Sequence, residues 1–246
     1  MTVLWAGIGS LIEHLDEGTA VGKVDRRLAE WLVGRRTPTR NTFSLIGSML
    51  SETAIKVVLT AIVCLVLLRV LRRWFEPLVI AVSLIVEAMI FMTVTLIVGR
   101  PRPDVPRLDG SPVSSSFPSG HVAAAACYGA MAVVVFWHTR RVWLRALAVL
   151  LTLVVPVIVG LARMYRGMHY LTDVVSGAII GATCVVAVVW ILKRAEARRL
   201  KEASLGVVKE GPAVLSVPGS TTHPHSAAVP AHTAVNPAAP PGPARA

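Results

Sequence analysis

The sequence predicts an all-α fold, a polytopic bundle of transmembrane helices followed by a disordered C-terminal tail. The first observation behind this is composition: 54% of the 246 residues are hydrophobic and the mean hydropathy is +0.64, too apolar for an ordinary soluble domain. The second is a series of five apolar runs, each near the roughly 20 residues that cross a bilayer. The third is the end of the chain, which is first basic and then rich in Ala and Pro.

Residues 1–41 are predicted to form an N-terminal segment at the membrane surface. Residues 3–12 are apolar but too short to span a bilayer. No positive segment precedes them, so we expect no signal peptide but an interfacial segment or part of a longer first helix. Residues 24–34 are typical of an amphipathic surface helix, and residues 35–41 of a polar turn around Pro38. The apolar side of this predicted helix carries Val24, Leu28, Trp31 and Leu32.

Residues 42–195 are predicted to form the transmembrane domain. Their backbone groups must hydrogen-bond internally in the bilayer, so the apolar runs are expected to be helices. In the last run, Gly177 and Gly181 have the spacing that favours close helix packing. The five predicted spans are 54–71, 77–99, 118–137, 142–162 and 170–192.

The net charge of +11 has two interpretations. A basic chain can bind nucleic acid. Here Lys and Arg cluster after the first, third and fifth spans, as topology signals do, so no nucleic-acid partner is expected. The positive-inside rule makes those regions cytoplasmic and the loops after the second and fourth spans extracytoplasmic. The arginines between residues 26 and 40 contradict this rule, because five spans leave them outside.

Residues 196–246 are predicted to be a cytoplasmic tail, basic at first and then disordered. The tail histidines His223, His225 and His232 are not expected to bind metal, since nothing folded holds them. The three cysteines lie far apart inside apolar runs and are expected to be packing residues. No motif for a metal or another cofactor appears.

Three polar stretches interrupt the apolar runs. Residues 100–103 read Arg-Pro-Arg-Pro and end the second span, residues 118–121 read Pro-Ser-Gly-His and begin the third, and residues 163–173 join the fourth to the fifth. Charged and polar residues between apolar membrane spans cost free energy to place there, and they normally serve a function. The predicted topology places all three stretches on the extracytoplasmic side.

The residue types in these stretches suit phosphate chemistry. On a helix, His169 and Asp173 share a face, so the carboxylate can accept from one imidazole nitrogen and leave the other as a base or nucleophile. Arg163 supplies a fixed positive charge for phosphate oxygens. Ser119 and Gly120 stand at a helix start, where free N–H groups attract an anion.

The ordered set of Arg-Pro, Pro-Ser-Gly-His and Arg-x5-His-x3-Asp resembles the type 2 phosphatidic acid phosphatase (PAP2) superfamily, over roughly residues 20–195. The resemblance implies a six-helix core and metal-free catalysis. It implies that His169 is the nucleophile that forms a phosphohistidine, that Asp173 orients it, and that His121 protonates the leaving group. The residues expected to contact the substrate phosphate are Arg102, Arg163, Arg100, Ser119, Gly120 and Thr95.

The first motif departs from the family pattern, which is Lys-x6-Arg-Pro. Counting back from Arg102 gives Thr95, whose hydroxyl brings no charge, and Ala162 stands where a Ser often precedes the third-motif Arg. The expected result is a weakened or specialised site. Glu87, in the middle of the second span, is expected to face the bundle interior or a cavity and to pair with an Arg.

The resemblance implies an integral membrane lipid phosphatase whose partners are membrane lipids and a lipid phosphate or diphosphate. A polyprenyl diphosphate and a phosphatidate-like lipid both remain open as substrates. A phosphatase of a prenyl-phosphoryl sugar and a lipid phosphotransferase are alternatives within the same class. A non-catalytic transporter or lipid-binding homologue is the alternative from another class.

Overall fold

A computed structural model describes residues 1–16, 18–110 and 115–209, and within these ranges the chain forms helices and loops without strands. The helices are α1 (Thr2–Asp16), α2 (Ala20–Val33), α3 (Pro38–Met49), α4 (Thr53–Leu71), α5 (Phe75–Val98), α6 (Gly120–Cys127), α7 (Gly129–His138), α8 (Val142–Tyr165) and α9 (Leu171–Lys209).

Five segments of the described chain are long and apolar enough to cross a membrane. They are Thr53–Leu71, Phe75–Val98, Gly120–His138, Val142–Tyr165 and Leu171–Ala203. Helices α6 and α7 together make the third segment, which is interrupted at Tyr128. The prediction of an all-helical polytopic bundle is therefore confirmed, and the protein is a multi-pass membrane protein.

The N-terminal helices pack against this bundle. Helix α1 lies along α5, and Trp5 is part of the main hydrophobic core. Helix α2 is amphipathic as predicted, but Trp31 on its apolar side is 51% exposed. Its inward face carries Gly22, Asp25 and Ala29 instead. A helix at the membrane surface presents its apolar side to lipid, so the predicted placement of α2 stays a prediction, while the side that packs on the protein carries the buried Asp25.

The polar turn predicted for residues 35–41 is shorter than expected, because α3 begins at Pro38. The Thr37 side chain caps the helix by accepting from the backbone N–H of Arg40 at 3.3 Å. Proline suits the first turn, where its missing N–H leaves no helical bond unmade. Helix α3 packs on α8, where Gly47 meets Ala162 and Ile158.

Helix α9 crosses α6 closely enough to require glycine. A Cβ on Gly177 would stand 2.5 Å from the Ser119 carbonyl oxygen, and one on Gly181 would meet the carbonyl oxygen of Ala123. The predicted close packing at this glycine pair is present. It holds the Pro-Ser-Gly-His turn against the beginning of α9. The core of buried side chains between α5, α6, α7 and α9 includes Val94, Phe117, Cys127, Ile180 and Cys184.

The last helix extends beyond the predicted span. Residues 196–209, expected to belong to the tail, continue α9 because they are rich in the strong helix formers Ala, Glu, Lys, Arg and Leu. Residues 1–202 pack as one unit, and residues from 203 onwards belong to a second. The rest of the predicted disordered tail, residues 210–246 with its three histidines, lies outside the described residues.

Gly181→Ala is expected to destabilise the bundle by about 3 kcal/mol, because the new methyl group meets a main-chain oxygen that cannot move aside. Thermal unfolding in detergent measures this effect. Gly7→Ala is the matched control, since a Cβ there meets nothing within 4 Å. Equal unfolding temperatures for the two variants would contradict the close crossing.

Candidate active site

Three loop segments meet at one end of the bundle. The loop from α5 to α6 is tied to the loop from α8 to α9 by a hydrogen bond from the Leu108 N–H to the Arg166 carbonyl at 3.1 Å. Arg36, between α2 and α3, donates to the carbonyls of both Pro106 and Tyr165. Gly167 sits in this junction with φ +74, a conformation that other residues rarely adopt.

A cavity of about 400 Å³ opens among these segments. The structure brings five predicted site residues together in its wall: Arg102, Gly120, His121, Arg163 and His169. They come from all three motifs of the sequence. Apolar parts of the same wall come from α3 and α5, through Leu45, Met49 and Phe91.

His169 lies in the loop before α9 and is buried. Its Nδ1 is 2.7 Å from the Ser116 carbonyl oxygen, which can only accept, so Nδ1 carries the proton and Nε2 keeps the lone pair. Asp173 was expected to make this hydrogen bond. Its Oδ2 is instead 3.9 Å from Nδ1 and accepts from the Tyr170 backbone N–H at 2.9 Å. The expectation fails because His169 precedes the helix, so the four-residue spacing does not align the two groups.

Burial lowers the pKa of His169 well below 6.5, and the positive charges of Arg163 and Arg102 lower it further. The imidazole is therefore neutral at neutral pH, with a lone pair available on Nε2. This is the protonation state that a nucleophile needs.

Arg100 does not reach the cavity. Its guanidinium is completely buried, bonds the Asp173 carboxylate and Asp25 Oδ2, the latter at 3.2 Å, and lies over the Tyr170 ring at 4.4 Å. Thr172 joins the same group and donates its hydroxyl to Asp25. The predicted phosphate contact is not open to Arg100, because two carboxylates already bind its guanidinium.

Asp25 is the residue of this group that the sequence interpretation missed. It is 2% exposed, lies on the inward face of α2 and accepts from the Arg100 guanidinium nitrogen Nη2, whereas Asp173 accepts from Nη1. A signal was present: Gly22 and Ala29 flank it at helical spacing, so an aspartate stands on a face of small residues suited to close packing.

The Pro-Ser-Gly-His turn presents His121 to the cavity. The His121 Nε2 is 3.4 Å from a Glu52 carboxylate oxygen, and the His121 carbonyl accepts from the Ser51 hydroxyl at 2.6 Å. A Cβ on Gly120 would stand 2.7 Å from the Phe91 ring, so a larger residue there requires the ring to move. The backbone N–H of Ser119 donates to the Asp173 carbonyl at 3.1 Å.

The Ser119 hydroxyl oxygen is buried and forms no hydrogen bond with any described residue. Ser119 precedes the cavity-lining Gly120 but is not itself part of the cavity wall, so its predicted contact with the substrate phosphate stays a prediction.

Two arginines reach the cavity from opposite motifs. Arg102 donates to the Met168 carbonyl at 2.6 Å. Arg163 donates to the Ser48 hydroxyl and to the Asp109 carboxylate, both at 3.0 Å. Burial raises the pKa of Asp109. Its hydrogen bond to Arg166 and the positive charges of Arg166 and Arg163 outweigh this effect, so the pKa lies below its usual value.

Two further predicted residues lie away from the cavity. Thr95 is 4% exposed, and its hydroxyl is 3.5 Å from the Phe117 carbonyl oxygen. Glu87 faces the bundle interior as expected, but it forms no ion pair with an arginine among the described residues. Both side chains point into the packed interior of α5 and its neighbours, where the cavity does not extend.

Comparisons with known proteins show what the chain is similar to. A family model described as the PAP2 superfamily matches residues 76–197. The bacitracin transport permease protein BcrC of Bacillus licheniformis is 31% identical over 88 residues, which are 36% of this chain and 39% of that protein. Phosphatidylglycerophosphatase B of Bacillus subtilis (strain 168) is 38% identical over 85 residues, 33% of this chain and 41% of that protein. The match thus spans about two fifths of the length of these curated relatives.

Two solved structures share the fold. The crystal structure of a transmembrane PAP2 type phosphatidylglycerolphosphate phosphatase from Bacillus subtilis has a TM-score of 0.67 at 23% identity, covering 78% of this chain and 96% of that one. The crystal structure of Aquifex aeolicus LpxE has a TM-score of 0.54 at 23% identity, covering 70% and 97%. At this level of identity the likeness concerns the fold.

Asp25→Asn is expected to destabilise the protein by about 3 kcal/mol, because it removes one of the two carboxylates that compensate a buried guanidinium. The measurement is thermal or denaturant unfolding in detergent. Asp104→Asn removes a similar charge at an exposed position of the α5–α6 loop and serves as control. If both variants have the same unfolding free energy as the unmodified protein, the Arg100–Asp25 ion pair does not contribute to stability.

Proposed function

The chain belongs to the PAP2 superfamily through residues 76–197, and on this premise we propose that it is an integral membrane phosphatase that hydrolyses a phosphate ester or diphosphate of a lipid. The observation that carries the proposal is the cavity in which His121, His169, Arg102 and Arg163 meet. A nucleophile, an acid and positive charge for the phosphate oxygens are the groups that phosphoryl transfer requires.

The reaction proceeds in two steps. His169 Nε2 attacks phosphorus, the bond from phosphorus to the lipid-side oxygen breaks, and His121 gives its proton to that oxygen. Water then attacks the phosphohistidine, its proton returns to His121, and phosphate leaves His169. The single free lone pair on Nε2 supports the first step, since Nδ1 is held by the Ser116 carbonyl.

The two arginines stabilise the charge that spreads over the equatorial oxygens of the phosphoryl group. Asp109 forms ion pairs with both Arg163 and Arg166 in the structure. A bound phosphate competes with this carboxylate for Arg163, so substrate binding rearranges the contact rather than meeting an unpaired charge.

The substrate is a lipid because the cavity lies at the end of a transmembrane bundle and has apolar walls on one side. The relatives include a phosphatidylglycerophosphatase, which supports a phospholipid monoester. A polyprenyl diphosphate is the second substrate class. A prenyl-phosphoryl sugar and transfer of the phosphoryl group to another lipid use the same groups and are separated by assay.

The active site faces the extracytoplasmic side in this proposal. Basic residues follow α4, α7 and the apolar part of α9, at the opposite ends of their spans from the cavity, and the positive-inside rule makes those ends cytoplasmic. The contradicting arginines near the N-terminus are partly explained by packing: Arg36 bonds two carbonyls and Arg35 lies 3.9 Å from the Trp31 ring centroid.

A membrane transporter is the second candidate, because one relative is named a transport permease. The two candidates differ in what they require of His169. A phosphatase needs it as the group that becomes phosphorylated, whereas a transporter needs no nucleophile.

Detergent-purified protein is expected to release phosphate from a prenyl diphosphate, a prenyl monophosphate or phosphatidic acid with EDTA present. His169→Ala is expected to lower this release by about a thousandfold or more, because it removes the group that forms the covalent intermediate. His14→Ala, at an exposed position of α1, is the control and keeps full activity. Folded protein that releases no phosphate, or an active His169→Ala variant, contradicts the proposal.

The role of His121 is tested in the same assay with two leaving groups. His121→Ala is expected to lose far more activity on a lipid alkoxide than on 4-nitrophenyl phosphate, whose leaving group needs no proton. An equal loss on both substrates assigns His121 to binding.

The activity is expected to persist in acid. Protonation of His169 removes the nucleophile, and its pKa lies well below 6.5, so the acid limb of kcat/KM due to this group lies well below pH 6.5. Arg163→Gln removes a positive charge that lowers the pKa of His169, so the pKa rises and the acid limb of the residual activity moves to higher pH. The substrate phosphate also titrates near pH 6, so its ionisation is measured separately by phosphorus NMR. A limb at or above 6.5 that the substrate does not explain contradicts the assignment.

A further inference from the structure

We propose that Lys56 supplies the phosphate-binding ammonium that the first motif of this chain lacks at position 95. The inference rests on the proposed function and adds one substrate-binding residue to it. Lys56 stands on α4, outside all three motifs, and its side chain lines the same cavity as Arg102, His121 and His169.

Helix α5 offers no positive charge to the cavity. Thr95 takes the place of the motif lysine. Its hydroxyl lies 3.5 Å from the Phe117 carbonyl oxygen, and the residue does not line the cavity. One turn earlier, α5 presents Phe91 to the cavity, an aromatic ring packed against Gly120. Any cation on the α5 side of the cavity must therefore come from another helix.

Lys56 is an unusual residue for its helix. From Thr53 to Leu68, α4 contains no other charged side chain, and the helix has no buried residue, as expected of a span that faces lipid. An ammonium in such a span is costly, and lysines there normally face a polar cavity or serve a function. Lys56 lies near the end of α4 that reaches the cavity, where its flexible stem can direct the charge inward.

The ammonium has no partner within the described part of the chain. Glu52, one helical turn earlier, is the expected partner for a lysine at this spacing. Its carboxylate interacts with His121 instead, at 3.4 Å, and forms no ion pair with Lys56. Glu87 forms no ion pair with Lys56 either. By contrast, Arg163 already binds the Asp109 carboxylate at 3.0 Å.

The arrangement suits a phosphate group held from two sides. The guanidinium groups come from the α5–α6 loop through Arg102 and from the last turn of α8 through Arg163, and a lysine on a flexible stem contributes a compact charge from α4. The ligand chemistry is that of phosphate oxygens, whether they belong to the transferred group or to the next phosphate of a diphosphate. An ammonium with no protein partner gains a charge-assisted hydrogen bond only when such an anion binds.

The test compares Lys56→Met, Lys56→Arg and Lys23→Gln. Methionine has a similar length and suits a lipid-facing helix, so the first variant is expected to fold, which thermal unfolding verifies. We expect Lys56→Met to lower kcat/KM about 10- to 100-fold and to weaken competitive inhibition by inorganic phosphate by a similar factor. Lys56→Arg is expected to remain within about fivefold of the unmodified protein, because it keeps the charge. Lys23, exposed on α2, is the control whose loss changes neither quantity.

The outcomes separate this inference from the proposed function. If the unmodified protein releases phosphate and Lys56→Met matches it within twofold in both measurements, the lysine proposal is overturned and the phosphatase stands. If Lys56→Met and Lys56→Arg fail equally while both are folded, the charge is not what matters and the proposal is also overturned. If the unmodified protein releases no phosphate, stabilisation by added inorganic phosphate decides: a shift that Lys56→Met abolishes supports the site, and an equal shift overturns it.

Discussion

A buried arginine between two carboxylates holds together the parts of the chain that build the cavity. Arg100 joins Asp25 of α2 to Asp173 of α9, and the loop that it begins carries the carbonyl of Ser116. A guanidinium enclosed by apolar helices cannot remain uncompensated, so the three segments must come together when the bundle forms. The positions of His169 and of the Pro-Ser-Gly-His turn follow from this junction, because both hydrogen-bond to its members.

The membrane explains why the polar residues gather at one end. Helix α4 has no buried residue, and many large apolar side chains of α5, α8 and α9 are exposed, as lipid-facing surfaces require. Polar groups can therefore be accommodated only where loops and helix ends exclude lipid. Within the described residues, the cavity combines an apolar wall from Leu45, Met49 and Phe91 with a wall of histidines and arginines. A lipid with a phosphate head presents the same two kinds of surface.

The sequence predicted most of the spans and part of the cavity. Apolar runs of bilayer length identify helices without knowledge of their neighbours, and the short motifs identify Arg102, His121 and His169. It did not predict the positions of Asp25, Glu52 and Lys56, which depend on which helices pack together rather than on local spacing. Helix α3 was missed because it is short and polar. The pairing of His169 with Asp173 was wrong because the helix on which the argument relied begins two residues too late.

The hydrogen-bond acceptor of His169 Nδ1 is a main-chain carbonyl. The tautomer of His169 therefore does not depend on which side chains the motifs carry. A carbonyl is present whatever side chain stands at position 116, so substitution there leaves the tautomer of His169 intact. The path of the backbone is what matters. A homologue whose segment before Ser116 is one residue shorter or longer can keep every letter of the three motifs and yet hold its histidine in the other tautomer. Pattern matching alone would count such a chain as active, and only the course of its loop would reveal that it is not.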